Sequence, residues 1–296
     1  PMPSMLYEDL VVIPLGSSMG QAQAGYVTLA DADGLAPGQA PPFEFSELDS
    51  GGRVPTVQVK VGPVPLVVIA GETIIGGKQN RAINVSMWLA AGTTTPIPVT
   101  CLEHGRWNAP GKFAAGLPVD HELREKLSRG VDQFGPDGRF TADQMDTWAR
   151  IADRERVAGR YSDSQAVHDL YKADKSDVDS AVEALPAPHG AFGMAVGIGG
   201  KLVGLDVFDS KEALARQWPR LVASAALAWL DFRRRVGAGL AEKPDTVQPD
   251  DGALGRMLER AKKAAGEASV TRSPGEGLDI RLATRKLHGS ALVFGD

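Results

Sequence analysis

The sequence predicts an α+β fold, from three observations. Short β-type runs fill the first third of the chain, helical periodicity takes over near residue 120, and strands return after residue 186. The regular strand–helix alternation of a parallel sheet is missing. We therefore read a β-rich N-terminal lobe over 1–119, of sandwich or partly open barrel type, a helical segment over 120–185 and a C-terminal lobe of hairpin, helix and strands over 186–296.

The first lobe is expected to use Leu10 to Leu15, Gly25 to Leu29, Thr56 to Val61, Pro65 to Ala70, Ala82 to Leu89 and Ile97 to Leu102 as strands. Gly16-Ser-Ser-Met-Gly20 has the letters of a serine-hydrolase elbow but lacks the helix that must follow, so it reads as a turn. Asp31 to Gln39 reads as a loop, because Leu35 and Ala36 stand where a calcium loop needs a ligand and a glycine. Helices are expected over His121 to Arg129, Thr141 to Ala158, Ser162 to Lys172 and Asp174 to Leu185. Thr141 and Gln144 have capping-box spacing, and Trp148 falls on the apolar side with Ile151 and Ala152. The alternating charges from Asp153 to Arg156 suggest a solvated face, and Gly135 to Gly138 a turn. Gly190 to Ile198 and Lys201 to Phe208 form a hairpin through Gly199-Gly200, and Ser210 starts a long amphipathic helix closed by Arg233 to Arg235. A helix over Ala253 to Ala265 and strands at Ala268 to Thr271, Leu278 to Ala283 and Ala291 to Phe294 complete the chain.

Composition limits the function. The 296 residues are 43% hydrophobic and 23% charged, which suits a folded globular protein. A net charge of −5 argues against a general nucleic-acid binder, but a local cationic site for a small anion remains open. The single Cys101 cannot form an internal disulfide, so a cytoplasmic setting is expected. Leu221 to Leu230 is too short for a bilayer span, and the N-terminus has no signal-peptide pattern, so no membrane association is expected. Cofactor and oligomeric state are not readable.

Chemistry concentrates in Gly71-Glu-Thr-Ile-Ile-Gly-Gly-Lys-Gln-Asn-Arg81 and Cys101-Leu-Glu-His-Gly-Arg-Trp107. No Walker loop, dinucleotide fingerprint, zincin motif or paired CxxC occurs, and the five histidines never fall at metal-ligand spacing. A turn at Gly76-Gly77 would bring Lys78 to Arg81 back towards Glu72. Glu72 and Glu103 are the candidate acid/base carboxylates; Lys78, Gln79, Asn80, Arg81 and Arg106 the candidate ligand-binding groups; Trp107 a stacking platform for a base or sugar. We expect Glu72, Arg81, Glu103 and Arg106 to converge and Cys101 to be packed and unreactive. The competing reading is a structural ion-pair network with Trp107 as its plug.

These residues also carry a resemblance. Gly71-Glu72, Lys78-Gln-Asn-Arg81, Pro98-Val-Thr-Cys101, Glu103 and Gly105-Arg-Trp107 resemble the domain named for its association with ADP-ribosylglycohydrolase and rhodanese/phosphatase-superfamily proteins. The likeness continues through Ala142-Asp-Gln144, Trp148, Gly200-Lys-Leu-Val-Gly204, Asp206, Phe208 and Trp218-Pro, and so covers most of the chain. Family members often carry glutamine at the position of His104. The resemblance implies a neighbourhood of ADP-ribose or NAD-linked metabolism and no established reaction. Two functions therefore stand open: a protein, enzyme or not, that takes an ADP-ribose-like or other phosphorylated nucleotide ligand, and a non-catalytic interaction or structural module.

Overall fold

The computed structural model describes residues 1–16, 25–33, 35–36, 39–48, 55–107, 111–134, 142–249, 252–259, 269–272, 278–284 and 287–293. Strands β1 (Met5–Tyr7), β2 (Leu10–Gly16), β3 (Phe43–Glu47), β4 (Thr56–Val61), β5 (Leu66–Val68), β6 (Thr73–Ile75), β7 (Arg81–Ile83), β8 (Met87–Leu89), β9 (Thr94–Cys101) and β10 (Ala114–Gly116) come first. Helices α1 (His121–Phe134), α2 (Gln144–Ala158), α3 (Val167–Ala173) and α4 (Lys175–Ala184) follow. Then come the hairpin β11 (Ala191–Ile198) and β12 (Lys201–Val207), helix α5 (Lys211–Gly237), a helical turn region at 253–259, and strands β13 (Ser269–Arg272), β14 (Leu278–Thr284) and β15 (Leu287–Val293). The expected α+β class is the observed one.

The main sheet of the N-terminal region has six strands in the order β10-β6-β7-β9-β4-β3, all neighbours antiparallel, and is nearly closed. The strand β3 was not among those expected from sequence. Its Phe-Glu-Phe-Ser-Glu alternation buries Phe43 and Phe45 in the sheet core and leaves Glu44 and Ser46 outside. Two expected strands differ. Ala82 to Leu89 splits into β7 and β8, because Asn84 accepts from the Thr100 hydroxyl at 2.7 Å and Ser86 takes the Ala70 N–H at 3.0 Å, so the run leaves the ladder between them. Gly25 to Leu29 gives only a bridge at Val27, since Thr28 N–H and Oγ1–H both donate to Asp31 and fold Leu29–Ala32 into a 3-10 turn. The turns expected at Gly16 to Gly20 and Gly135 to Gly138 lie largely or wholly outside the described residues.

The first two strands do not join this sheet. They pair across the chain with the late hairpin, in the order β1-β2-β11-β12, with Val12 opposite Val196 and Leu10 opposite Ile198. At the hairpin, Gly199 and Gly200 have φ of +59° and +70°, the left-handed conformations that a two-residue primed turn requires. A core of Leu10, Val12, Met194 and Val196 packs under Leu214, Trp218, Leu221, Val222 and Trp229 of α5. A separate core lies inside the six-stranded sheet, around Val57, Val59, Ile74, Ile83, Ile97 and Val99.

The helical segment is held to α5 by buried charge. At 100° per residue, Arg154 and Glu155 follow Ile151 onto the inward face of α2, so the solvated face expected for Asp153 to Arg156 is half buried. Arg154 donates to Asp120, which is fully buried at the start of α1, and Arg150 reaches Glu122 and Asp231. Arg234 forks onto Asp174 at 2.6 and 2.8 Å, and Arg235 pairs with Asp231 and Asp153, so these arginines join helices rather than only complementing a dipole. Burial pushes the Asp120 carboxyl up, but the charge and hydrogen bond of Arg154, with His121 and Arg150, outweigh it and hold the carboxyl down to about 2. A depressed carboxyl stabilises the fold fully above the ordinary aspartate value of about 3.9 and loses that contribution as pH falls towards the depressed value. Asp120→Ala is expected to cost about 3–5 kcal/mol in urea unfolding near neutral pH, because Arg154 is left buried without its carboxylate. Its stability should also fall less than the parent's between about pH 4 and pH 2.

Candidate functional site

The hairpin of β6 and β7 builds the site. Gly76 and Gly77 take φ of +118° and +53°, and a Cβ on Gly77 would lie 2.1 Å from the Phe113 ring, so the turn needs glycine for both conformation and space. Beyond the turn, β7 pairs with β9 in a register that sets Arg81 opposite Cys101. Directly opposed residues share a face, and the period of two puts Gln79 and Glu103 near the same side. The two polar blocks therefore meet through strand register.

Their contacts form one network. Asn80 N–H donates to Glu103 Oε2 at 3.1 Å, Leu102 N–H to Asn80 O at 2.9 Å, and Gln79 Nε2 to Glu103 O at 2.9 Å. Arg106 forks onto Glu103 through Nε and Nη2, both at 2.8 Å, and its Nη1 donates to Gly77 O at 2.8 Å. Arg81 is fully buried and its Nη1 lies 3.2 Å from both oxygens of Glu47, on β3. Its Nε and Nη2 are buried without an oxygen or nitrogen acceptor, and the Cys101 sulfur lies within hydrogen-bonding reach of the guanidinium. The Arg81 guanidinium lies 5.9 Å from the Trp107 ring centroid and 5.8 Å from that of Phe113, with Lys78 Nζ 5.6 Å from Trp107. Trp107 is 41% exposed and forms the outer wall.

Cys101 is packed, as expected: it is fully buried and its thiol donates to Gln79 Oε1 at 2.8 Å. Burial pushes the thiol up, and the positive charge of Arg81 pulls against it. The loop beyond is pinned from the helical segment. Glu103 bridges to Ala166, and His104 and Gly105 N–H both donate to Ser164 O. A Cβ on Gly105 would lie 2.9 Å from Asp163 O, so this approach too depends on glycine. The His104 ring meets Trp148 edge to face at 4.4 Å.

Glu72 stands apart, contrary to the expected convergence. It lies at the open end of the β6–β7 hairpin, where Ile83 N–H donates to its carbonyl, while the turn carrying Lys78 to Asn80 closes the other end. Three residues of strand, roughly 10 Å at 3.3 Å per residue, separate those ends. Its carboxylate accepts from Ile69 N–H and from Gln217 on α5, and shares no partner with Glu103. The turn thus carries Lys78 to Arg81 towards Glu103, Arg106 and Phe113.

Three participants escaped the sequence reading of the site. Glu47 was hidden in an unrecognised strand, and its signal was the alternation of Phe43 to Glu47. Phe113 carries no polar signal. Gln144 was legible only through the resemblance: its amide donates to Cys101 O at 2.8 Å and accepts from Cys101 N–H at 2.9 Å, closing the free edge of β9 as a strand would. The cap of α2 is Asp143, which accepts from Met145 and Asp146 N–H; the expected partner Thr141 lies outside the described residues. Gln144→Glu removes the donor and turns a carboxylate towards the Cys101 carbonyl. We expect a loss of about 1–3 kcal/mol in urea unfolding and faster labelling of Cys101 by a thiol reagent.

Among the described residues no group of three or more His, Cys, Asp or Glu side chains is arranged to hold a metal ion, and no helix is long and apolar enough to cross a membrane. A cleft of about 330 Å³ lined by His189, Lys211 and Trp218 shares no lining residue with either carboxylate cluster. Neither a curated protein nor a solved structure matches the chain. A family model, that of the ARG and Rhodanese-Phosphatase-superfamily-associated Protein domain, matches residues 3–296. The match spans nearly the whole sequence, and the chain belongs to that family.

Proposed function

We propose that the block formed by Lys78 to Arg81 and Glu103 to Trp107 binds a small anionic ligand of ADP-ribose-like or other phosphorylated-nucleotide type. The observation that carries this reading is the edge of Arg81: two buried guanidinium nitrogens without an oxygen or nitrogen acceptor, with the Cys101 sulfur beside them and a half-exposed tryptophan above. A planar guanidinium edge suits two oxygens of a phosphate or carboxylate, and an indole face suits a base or sugar. Lys78 adds positive charge beside the same ring. The family's name, which joins it to ADP-ribosylglycohydrolases, favours this ligand class by association. A cytoplasmic setting fits a chain with one buried thiol. With Glu72 in another cluster, Glu103 remains the only carboxylate of the candidate acid/base pair at this block, so the proposal is of binding, with catalysis left open.

A second reading has its own support. Each of the two site arginines already has a carboxylate, Glu47 for Arg81 and Glu103 for Arg106, as a purely structural network would require. Two variants and the response to ligand test the readings, and the ligand response with Trp107→Ala separates them. Arg81→Met is expected to cost about 3–5 kcal/mol under either, because it strands Glu47. Trp107→Ala, at a partly exposed position, should cost only about 1 kcal/mol. If the block binds ligand, ADP-ribose, AMP or inorganic phosphate raises the melting temperature of the parent, by about 2.7 kcal/mol of stabilisation at a hundredfold excess over Kd. Trp107→Ala should then abolish most of the nucleotide effect. No rise in the parent with any nucleotide, sugar phosphate or inorganic phosphate would favour the structural module.

A further inference from the structure

Glu72 is 1% exposed and Gln217 is fully buried, and they meet where the β6–β7 hairpin docks on α5. Glu72 Oε2 accepts from Ile69 N–H at 2.8 Å and Oε1 from Gln217 Nε2 at 3.0 Å. Both donors are neutral. The nearby guanidinium groups are committed elsewhere: Arg220 of α5 donates to Asp33 at 2.8 Å and to Gly116 O, and Arg124 of α1 forks onto Asp206 of β12 at 2.6 and 3.0 Å. Arg124 is held in that pose by Gly71, whose φ is +88° and whose Cβ would lie 2.4 Å from Arg124 Cγ. Besides Glu72, the charged and titratable groups around this corner among the described residues are Arg124, Arg220, Asp33, Asp206 and Asp120, with His121 beside Arg124.

An ionised carboxylate buried on neutral donors is costly, because its lost hydration is not replaced by a paired charge. The neutral acid avoids that cost and needs an acceptor for its O–H. Gln217 holds one: its Oε1 is buried without a partner, and a half-turn of the amide presents it to Glu72 Oε1. We infer that Glu72 is carried as the neutral acid in the folded protein, and that its proton couples the docking of the β6–β7 hairpin on α5 to pH. Burial pushes the carboxyl up, and the pull of Arg220, the Ile69 and Gln217 hydrogen bonds and Arg124 does not restore it. A carboxyl raised in the folded state stabilises fully below the ordinary glutamate value of about 4.3 and loses that contribution as pH rises through the raised value. Rising pH therefore loosens this joint, in the opposite sense to Asp120. This assignment does not depend on the ligand-binding reading, and it makes Glu72 a structural proton carrier outside the anion site.

Glu72→Gln keeps the shape and removes the proton. Expected is a carboxyl carbon of Glu72 that titrates above the ordinary glutamate range in carbon-13 NMR of the whole chain. Unfolding free energy of the parent, corrected for other groups by the variant, should fall with rising pH above about pH 5, while Glu72→Gln lacks that component. Titration of the carbon within the ordinary range, or identical pH slopes for parent and variant, overturns the inference. If Glu72→Gln does not fold, the carbon titration of the parent decides alone.

Discussion

Buried guanidinium groups are the constraint on which this structure depends. Arg81, Arg150, Arg154 and Arg220 are all buried, and a charge in that position stands only with an acceptor supplied by the fold. The acceptors are distant in sequence: Glu47 for Arg81, Asp120 for Arg154, Asp231 for Arg150 and Asp33 for Arg220. Apolar packing brings sheets and helices together without direction, and it tolerates sliding. A guanidinium that must meet one carboxylate does not. In this protein the pairs join β3 to β7, α1 to α2, α2 to α5, and α5 to the segment after the 3-10 turn.

The same constraint shapes α5. Its apolar side, with Leu214, Trp218, Leu221 and Trp229, covers the four-stranded sheet, while Gln217, Arg220 and Ser224 follow at helical spacing on a second stripe. That stripe binds Glu72, Gly116 O and Val119 O, all from the N-terminal region. The helix thus turns an apolar face to one core and a polar stripe to the N-terminal region, and Ala142 packs against both cores. The candidate anion site lies at the other end of the β6–β7 hairpin, where an arginine edge is left without an oxygen or nitrogen acceptor. One hairpin accordingly carries a structural carboxyl at one end and the proposed binding groups at the other.

Much of this was legible in the sequence where the signal is local. Gly199-Gly200 between apolar runs specified the hairpin, Ser210 capped α5 by accepting from Ala213 N–H, and the polar blocks pointed to Arg81, Glu103 and Arg106 as neighbours. What depended on partner choice was not legible. The pairing of β2 with β11 joins residues almost two hundred apart, and no periodicity in either strand names the other. Glu72 looked like a companion of Glu103 because it precedes the same turn, yet strand direction carried the two to opposite ends. Arg154 sat in a run of alternating charge, which hid its place on the face of Ile151. Trp148 was read as core and is partly buried, packed against that core with the His104 ring perpendicular to it.

The hydrogen bonds of Asn80, Leu102 and Gly105 make the polar block of Lys78 to Arg81 and Glu103 to Trp107 as firmly built as the sheet that bears it, a preorganised surface for the proposed ligand. Native-state hydrogen exchange on the amides of Asn80, Leu102 and Gly105, which donate to Glu103, Asn80 and Ser164, tests this most directly. These amides are expected to exchange only through global unfolding, with the same free energy as Val57 and Val99 of the sheet core. Exchange through low-energy local opening, while the core strands stay protected, would contradict it.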